Sequence, residues 1–148
     1  MVHCLIRDQI ALGIPSKKII LGGFGMGGGI ALYAGITYKE QLGGIACLSS
    51  FIPNHKALVN KIDANQSTPI FFGIGEADTI TPVSWARNTV RLLSETYEMS
   101  NIEFKTYPEV RHALSLEGCI DLHNWFLKVV PPGVQCRKKR NRKNKSRH

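Results

Sequence analysis

A glycine-rich turn, an acid and a histidine follow one another along this chain and could together perform hydrolytic chemistry. The turn is the run Gly-Gly-Phe-Gly-Met-Gly-Gly-Gly over residues 22–29. Asp78 follows a later apolar segment, and His112 follows the segment after that. One class of serine hydrolases arranges its catalytic groups in this chain order, with the nucleophile first, then the acid and then the histidine.

Two different chemistries use a glycine turn between a strand and a helix. In the G-x-S-x-G elbow, a serine stands on a strained turn and the flanking glycines let the backbone pass closely. In the dinucleotide pattern G-x-G-x-x-G, which residues 23–28 match literally, backbone N–H groups hold a pyrophosphate. That pattern also needs an acid about 20 residues later, whereas residues 47–51 contain none. A purely structural glycine turn is the third interpretation.

The segments around these residues alternate between strand and helix patterns. Short apolar, β-rich runs predict strands, and longer periodic runs predict helices. The predicted strands are 18–21, 42–48, 69–74 and 102–107, and the predicted helices are 4–12, 30–36, 83–97 and 116–130. This alternation predicts an α/β fold with a mostly parallel sheet of about four strands and helices on both faces. The turn, Asp78 and His112 then lie at the carboxyl ends of strands, where open parallel sheets bind ligands.

The positive charge is concentrated at one end of the 148-residue chain. Eight of the 19 Lys and Arg residues lie in 137–148, which contains no acid, and the remaining 11 balance 11 acidic residues. We therefore predict one domain over residues 1–133 and a disordered basic tail over 134–148. The run 137–147 is typical of a nuclear-localisation signal or a polyanion-binding segment, although a solvated tail without a partner explains it equally well.

Neither a membrane span nor a metal site is predicted. No run of about 18 apolar residues occurs. The apolar run within residues 1–8 is short and interrupted by charge, so we do not expect a signal peptide there. The expected location is cytoplasmic, or nuclear through the basic tail. The four cysteines are far apart and lack paired metal-ligand spacing, so we expect reduced thiols, no metal and no cofactor.

Four segments resemble the acyl-protein thioesterase, lysophospholipase and carboxylesterase family of α/β-hydrolases. They are the run 13–24 into the turn, the strand 42–49, the acid loop 75–78 and the histidine segment 104–112. The resemblance covers roughly residues 3–133 and implies the C-terminal part of an α/β-hydrolase fold. It also implies hydrolysis of acyl thioesters or carboxylic esters, such as palmitoyl-proteins or lysophospholipids.

The resemblance assigns a role to each site residue. The family's serine, at position 25, attacks the carbonyl carbon, and His112 would accept its proton while Asp78 orients the imidazole. The N–H of Met26 would donate to the oxyanion. Trp85 and Leu114 would bind substrate in an acyl pocket shared with other apolar residues. The residues expected there are Met26, Phe51, Ile52, Trp85 and Leu114, with simple core packing as the alternative for Phe51 and Trp85.

This sequence departs from the family pattern in two ways. Gly25 stands where the family has serine, and loss of the nucleophile from a comparable triad costs about 10⁶ in turnover. Ser49, Ser50 and Ser115 lie in nearby loops, but only the elbow presents an oxygen to both the base and the oxyanion donors. The family's first strands and their His-Gly loop, which lends an oxyanion donor, have no counterpart in this sequence.

These departures predict a hydrolase-family domain that is inactive as written. The alternative is a non-catalytic protein that binds acyl groups or reaches acidic partners through its tail. Because strand 18–21 would have an unpaired edge, the sequence also predicts a protein partner or a homo-oligomer at that edge.

Overall fold

The chain folds into a four-stranded parallel sheet with helices on both faces, which confirms the predicted fold class. The computed structural model describes residues 1–53, 55–58, 62 and 64–131. The strands are β1 (Ile20–Phe24), β2 (Gly44–Leu48), β3 (Ile70–Gly75) and β4 (Ile102–Tyr107). The helices are α1 (Val2–Ala11), α2 (Met26–Ile36), α3 (Val83–Glu95) and α4 (Leu116–Val129), with short 3₁₀ helices at Ser16–Lys18 and His55–Leu58. The strands lie in the order β1-β2-β3-β4, and every neighbouring pair is parallel.

The two faces of the sheet are covered by different helices because successive strand side chains point to opposite sides. Ile45 and Cys47 of β2 pack in the larger core cluster with residues of α2 and α3. Ala46 points the other way and packs with Phe71 of β3 and Trp125 of α4. Helix α1 joins the first face through a smaller cluster centred on Ile6, Tyr38 and Leu42. Parallel sheets need apolar cover on both faces, and this arrangement supplies it.

The boundaries at the glycine turn differ from those predicted. Strand β1 begins at Ile20 and continues through two glycines to Phe24, and α2 begins at Met26 rather than at residue 30. Gly22 and Gly23 pair with Ala46 and Cys47 of β2, so backbone pairing keeps them in the strand. Glycine has no side chain to contribute to a strand pattern, which is why the sequence indicated a loop at these positions.

The outer edge of β1 is open among the described residues. Strand β1 is the first strand of the sheet and pairs on one side with β2. Gly22 is exposed, and the side chain of Phe24 is 40% exposed. This agrees with the predicted open edge, and its pairing with another chain stays a prediction.

The basic tail lies outside the described residues, which end at Pro131. The predictions of disorder over 134–148 and of polyanion binding through 137–147 therefore remain predictions. Within the described ranges, no helix is long and apolar enough to cross a membrane. Over the same ranges, no group of three or more His, Cys, Asp or Glu residues is placed to hold a metal ion, and the described cysteines are free.

Candidate active site

Gly25 alone forms the turn between β1 and α2. Its backbone angles are φ 56° and ψ −125°, in a region that side-chain-bearing residues rarely adopt and glycine adopts readily. Its N–H donates to the Leu48 carbonyl at 2.9 Å, and its carbonyl accepts from the Gly28 N–H at 3.1 Å. A sharp strand-to-helix turn with one strained central residue is the geometry that the elbow interpretation requires.

The turn is tight because the chain passes closely over itself at two other glycines. A Cβ on Gly23 would overlap the backbone carbonyl group of Gly27, and one on Gly28 would lie 2.6 Å from the Cβ of Ser50. A Cβ on Gly27, by contrast, would meet nothing within 4 Å. The absence of side chains at Gly23 and Gly28 therefore shapes the turn, and Gly27 is not required in that way.

Asp78 and His112 form a hydrogen-bonded pair beside this turn. The Asp78 Oδ2 atom lies 2.8 Å from His112 Nδ1, while Oδ1 accepts from the N–H groups of Ile80 at 2.9 Å and Thr81 at 2.8 Å. Burial by itself raises the pKa of Asp78, but the hydrogen bonds from Thr81, His112 and Ile80 outweigh it and hold that pKa below its usual value. Asp78 is therefore a carboxylate near neutral pH, and it orients the imidazole.

The loops that carry this pair are joined to each other. The loop after β3 donates from Glu76 N–H to the Tyr107 carbonyl at 2.9 Å and from Ala77 N–H to the Val110 carbonyl at 3.0 Å. A Cβ on Gly75 would overlap the Val110 carbonyl oxygen, so glycine permits this approach. These backbone contacts bring Asp78 and His112 together although they are far apart in the chain.

His112 faces Gly25, the position at which the sequence predicts the nucleophile of the family. An ideal Cβ built on Gly25 would lie 3.4 Å from His112 Nε2, so an oxygen attached to that Cβ would reach the imidazole. The Phe24 ring also contacts the His112 ring edge-on, with centroids 4.7 Å apart. The structure thus brings together the three positions that the sequence nominated, Gly25, Asp78 and His112. Met26 follows directly, as the first residue of α2.

An apolar cavity of about 980 Å³ adjoins Gly25 and His112. Its walls come from the start of α1, one face of α2, the segment after β2 and the loop after β3. The lining residues are Met1, Val2, His3, Gly25, Met26, Gly29, Ile30, Tyr33, Ala34, Phe51, Ile52, Pro53, Ile80, Thr81 and His112. The sequence predicted Met26, Phe51 and Ile52 as lining residues. It did not indicate the residues of α1 or the further residues of α2. The spacing of Met26, Ile30 and Tyr33 on one helical face, beginning at the turn, was the available signal.

Trp85 and Leu114 differ from the expected placement. Neither is among the described residues that line the cavity beside Gly25. The Trp85 ring packs edge-on against Phe51, with centroids 4.7 Å apart, and lines a second cavity of about 620 Å³ on the other side of that ring. Leu114 packs close to Gly118 of α4 and is 39% exposed. A contact with substrate therefore remains a prediction for both residues.

None of the three loop serines lines the cavity beside Gly25. Ser49 and Ser50 are buried, and Ser50 Oγ has no hydrogen-bond partner among the described residues. The Ser115 side chain caps α4 by accepting from the Gly118 N–H. Among the described residues, no serine lines the cavity that contains Gly25 and His112.

A strand-to-helix elbow facing an acid–histidine pair, at the carboxyl edge of a parallel sheet, defines the chain as an α/β-hydrolase. The phospholipase/carboxylesterase family profile matches residues 1–130. The chain therefore belongs to the phospholipase/carboxylesterase family, which confirms the predicted family and favours the elbow over the dinucleotide interpretation.

The proteins that this chain resembles are longer than the chain itself. Acyl-protein thioesterase 1 of Neurospora crassa is 36% identical over 132 residues, which are 87% of this chain and 53% of that protein. Acyl-protein thioesterase 1 of Kluyveromyces lactis is 32% identical over 132 residues, 88% of this chain and 58% of that protein. The crystal structure of Arabidopsis thaliana SOBER1 superimposes with a TM-score of 0.82 at 25% identity, over 87% of this chain and 61% of that one. The chain thus spans little more than half the length of these curated relatives.

Proposed function

We propose that this chain is an acyl thioester- or ester-binding α/β-hydrolase domain that forms no acyl-enzyme, because Gly25 replaces the nucleophile. The observation that carries the proposal is the 3.4 Å between His112 Nε2 and the Cβ position of Gly25, both in the lining of the apolar cavity. The base, its orienting acid and the acyl cavity are thus arranged around a position that has no hydroxyl group.

Each remaining group has a role in this proposal. His112 Nε2 faces the bound carbonyl group, and Asp78 holds the ring through Nδ1. The Met26 N–H, at the start of α2, points toward the carbonyl oxygen as an oxyanion donor. Without a serine the covalent step is lost, and a comparable site keeps only a residual 10³–10⁴-fold, roughly, over the reaction in water.

The volume and the apolar lining of the cavity support a long acyl chain as the recognised part of the ligand. Its volume of about 980 Å³ is at the upper end of the range for small-molecule sites, roughly 300–1,000 Å³. Most of its lining side chains are apolar. The alcohol or thiol part of the ligand, such as a cysteine of an acylated protein or a lysophospholipid headgroup, would remain outside.

Restoring the hydroxyl group tests this proposal. In Gly25→Ser we expect labelling of residue 25 by a fluorophosphonate probe and hydrolysis of a p-nitrophenyl ester. We expect a gain in turnover of up to about 10⁶-fold, the factor that loss of the nucleophile costs a comparable triad.

The matched control is the double variant Gly25→Ser with His112→Gln, which should stay unlabelled because the base is absent. A folded Gly25→Ser protein that neither labels nor hydrolyses the ester would show that position 25 is not the nucleophile position.

The other predictions about partners and location are independent of this proposal. A protein partner or second copy at the open edge of β1 is supported by the exposure of Gly22 and Phe24. Polyanion binding through 137–147 and a cytoplasmic or nuclear location depend on the sequence alone. These interactions would give a non-catalytic protein a role without any turnover.

A further inference from the structure

We propose that Gly25 converts the elbow into a site for the carboxylate of a free long-chain fatty acid, with the acyl chain in the adjoining cavity. The proposal rests on the proposed function, because it uses the same cavity, but it commits to a different ligand. The free acid, rather than an ester or thioester, would be the ligand that this chain retains.

Space for a carboxylate oxygen exists where a serine side chain would be. Around the Cβ position of Gly25, only two atoms of His112 lie within 4 Å, Nε2 at 3.4 Å and Cε1 at 3.7 Å. The Cβ position of Gly27, one residue into α2, meets nothing within 4 Å. Apart from the adjoining residues of the chain, the space beside the imidazole at residue 25 therefore holds no other atoms, and a side chain there would occupy it.

The groups that border this space suit an anion with two oxygens. His112 Nε2 is directed at it because Nδ1 is engaged by Asp78 at 2.8 Å. Helix α2 receives no side-chain cap, so the N–H groups of Met26 and Gly27 have no intrahelical acceptor. One carboxylate oxygen could accept from these N–H groups while the other shares a proton with Nε2. The free acid brings this proton with it, whereas a methyl ester has no acidic hydrogen to give to Nε2.

No charged side chain in the described cavity lining opposes this ligand. The lining contains no Asp, Glu, Lys or Arg among the described residues, so no acid repels the carboxylate and no base competes for it. The one nearby carboxylate, Asp78, has a fully buried side chain behind the His112 ring. Burial of each methylene group should tighten binding about fourfold, until the cavity is filled.

A titration of the whole chain with matched ligands tests the inference. Palmitate and methyl palmitate, each below its aggregation concentration, are titrated by displacement of a fluorescent fatty-acid probe. We expect palmitate to bind at least tenfold more tightly than methyl palmitate. His112→Gln should lower palmitate affinity to about that of methyl palmitate in the native chain. Gly25→Ser should also weaken palmitate, because its side chain fills the space.

Leu5→Ser, at an exposed position of α1 outside the cavity lining, is the control for adsorption to surface apolar groups and should change neither affinity. Equal affinities for acid and ester in the native chain would overturn the carboxylate site but would not contradict the acyl cavity. Failure of both ligands to bind would overturn the acyl cavity itself, and with it the proposed function. A circular dichroism melt of each variant establishes that it is folded before titration.

Discussion

The turn at Gly25 and the Asp78–His112 pair face each other across the same site, but they are held by different means. The turn depends on backbone and on missing side chains, since Gly23 passes directly against Gly27. The pair depends on side-chain hydrogen bonds around a buried carboxylate. The shape of the turn therefore does not need a particular side chain at residue 25, whereas the pair needs both of its side chains.

This difference explains how the site can keep its geometry with glycine at residue 25. The left-handed region that residue 25 occupies costs a side-chain-bearing residue on the order of 1–3 kcal/mol, and glycine avoids that cost. Replacing serine by glycine thus removes the hydroxyl group and leaves the turn in place. His112 stays oriented because Asp78, and not residue 25, holds it.

The largest effect is expected from a substitution that disrupts the backbone of the turn. In Gly23→Ala the new Cβ would overlap the backbone carbonyl of Gly27, which cannot rotate away. We expect a loss of about 3 kcal/mol in the free energy of unfolding, measured by urea denaturation. Gly27→Ala is the matched control, because its Cβ has free space and alanine suits a helix better by about 0.5–1 kcal/mol. Equal losses in the two variants would show that close passage at Gly23 does not shape the turn.

An intermediate effect is expected when the charge is removed from the pair. Asp78→Asn should lower the free energy of unfolding by about 1.5–3 kcal/mol, the range for hydrogen bonds to charged groups. Because the pKa of Asp78 is lowered in the folded chain, its contribution is complete above the unfolded value of about 3.9 and is lost as pH falls through the folded pKa. Urea midpoints measured from neutral to acid pH should therefore fall less steeply in the variant.

Asp8→Asn, at an exposed position of α1, is the control for removal of one negative charge and should keep the native pH profile. An Asp78→Asn profile parallel to the native one would mean that this carboxylate is not stabilised by its hydrogen bonds.

The smallest effect concerns the contact that joins the two regions. Phe24→Leu removes the edge-on ring contact with His112, for which we expect a loss of about 0.5–1 kcal/mol. A double-mutant cycle with His112→Gln measures the coupling between the two positions. A coupling energy of zero would make the turn and the pair energetically independent, which would sharpen the contrast between them.

Much of the site was predictable because it follows from chain order. The alternation of strands and helices predicts a parallel sheet, and the carboxyl ends of parallel strands meet at one edge. Gly25, Asp78 and His112 could therefore be predicted as site positions from the sequence. The limits of β1 and α2 were less predictable, because glycine has no side chain to mark a strand and Gly22 and Gly23 belong to β1 only through pairing with β2.

The lining of the cavity could not be predicted in the same way. Val2 and His3 reach it because α1 packs on α2, where His3 Nε2 lies 2.8 Å from the Ala34 carbonyl oxygen. Trp85 is turned to the other side of Phe51, although its type and position suited an acyl pocket. Contacts of this kind depend on how elements distant in sequence pack together, and no local pattern reports them.

The sequence by itself determined the order of the elements, the edge at which the site lies and the absence of a hydroxyl group at residue 25. These properties follow from side-chain type and from short-range periodicity. Tertiary structure decided that His112 reaches the position above Gly25, that Asp78 is buried behind it, and which side chains enclose the apolar cavity. Those outcomes arise from the packing of helices α1 and α2 with the three segments that follow β2, β3 and β4, in which each side chain's direction depends on its neighbours in space.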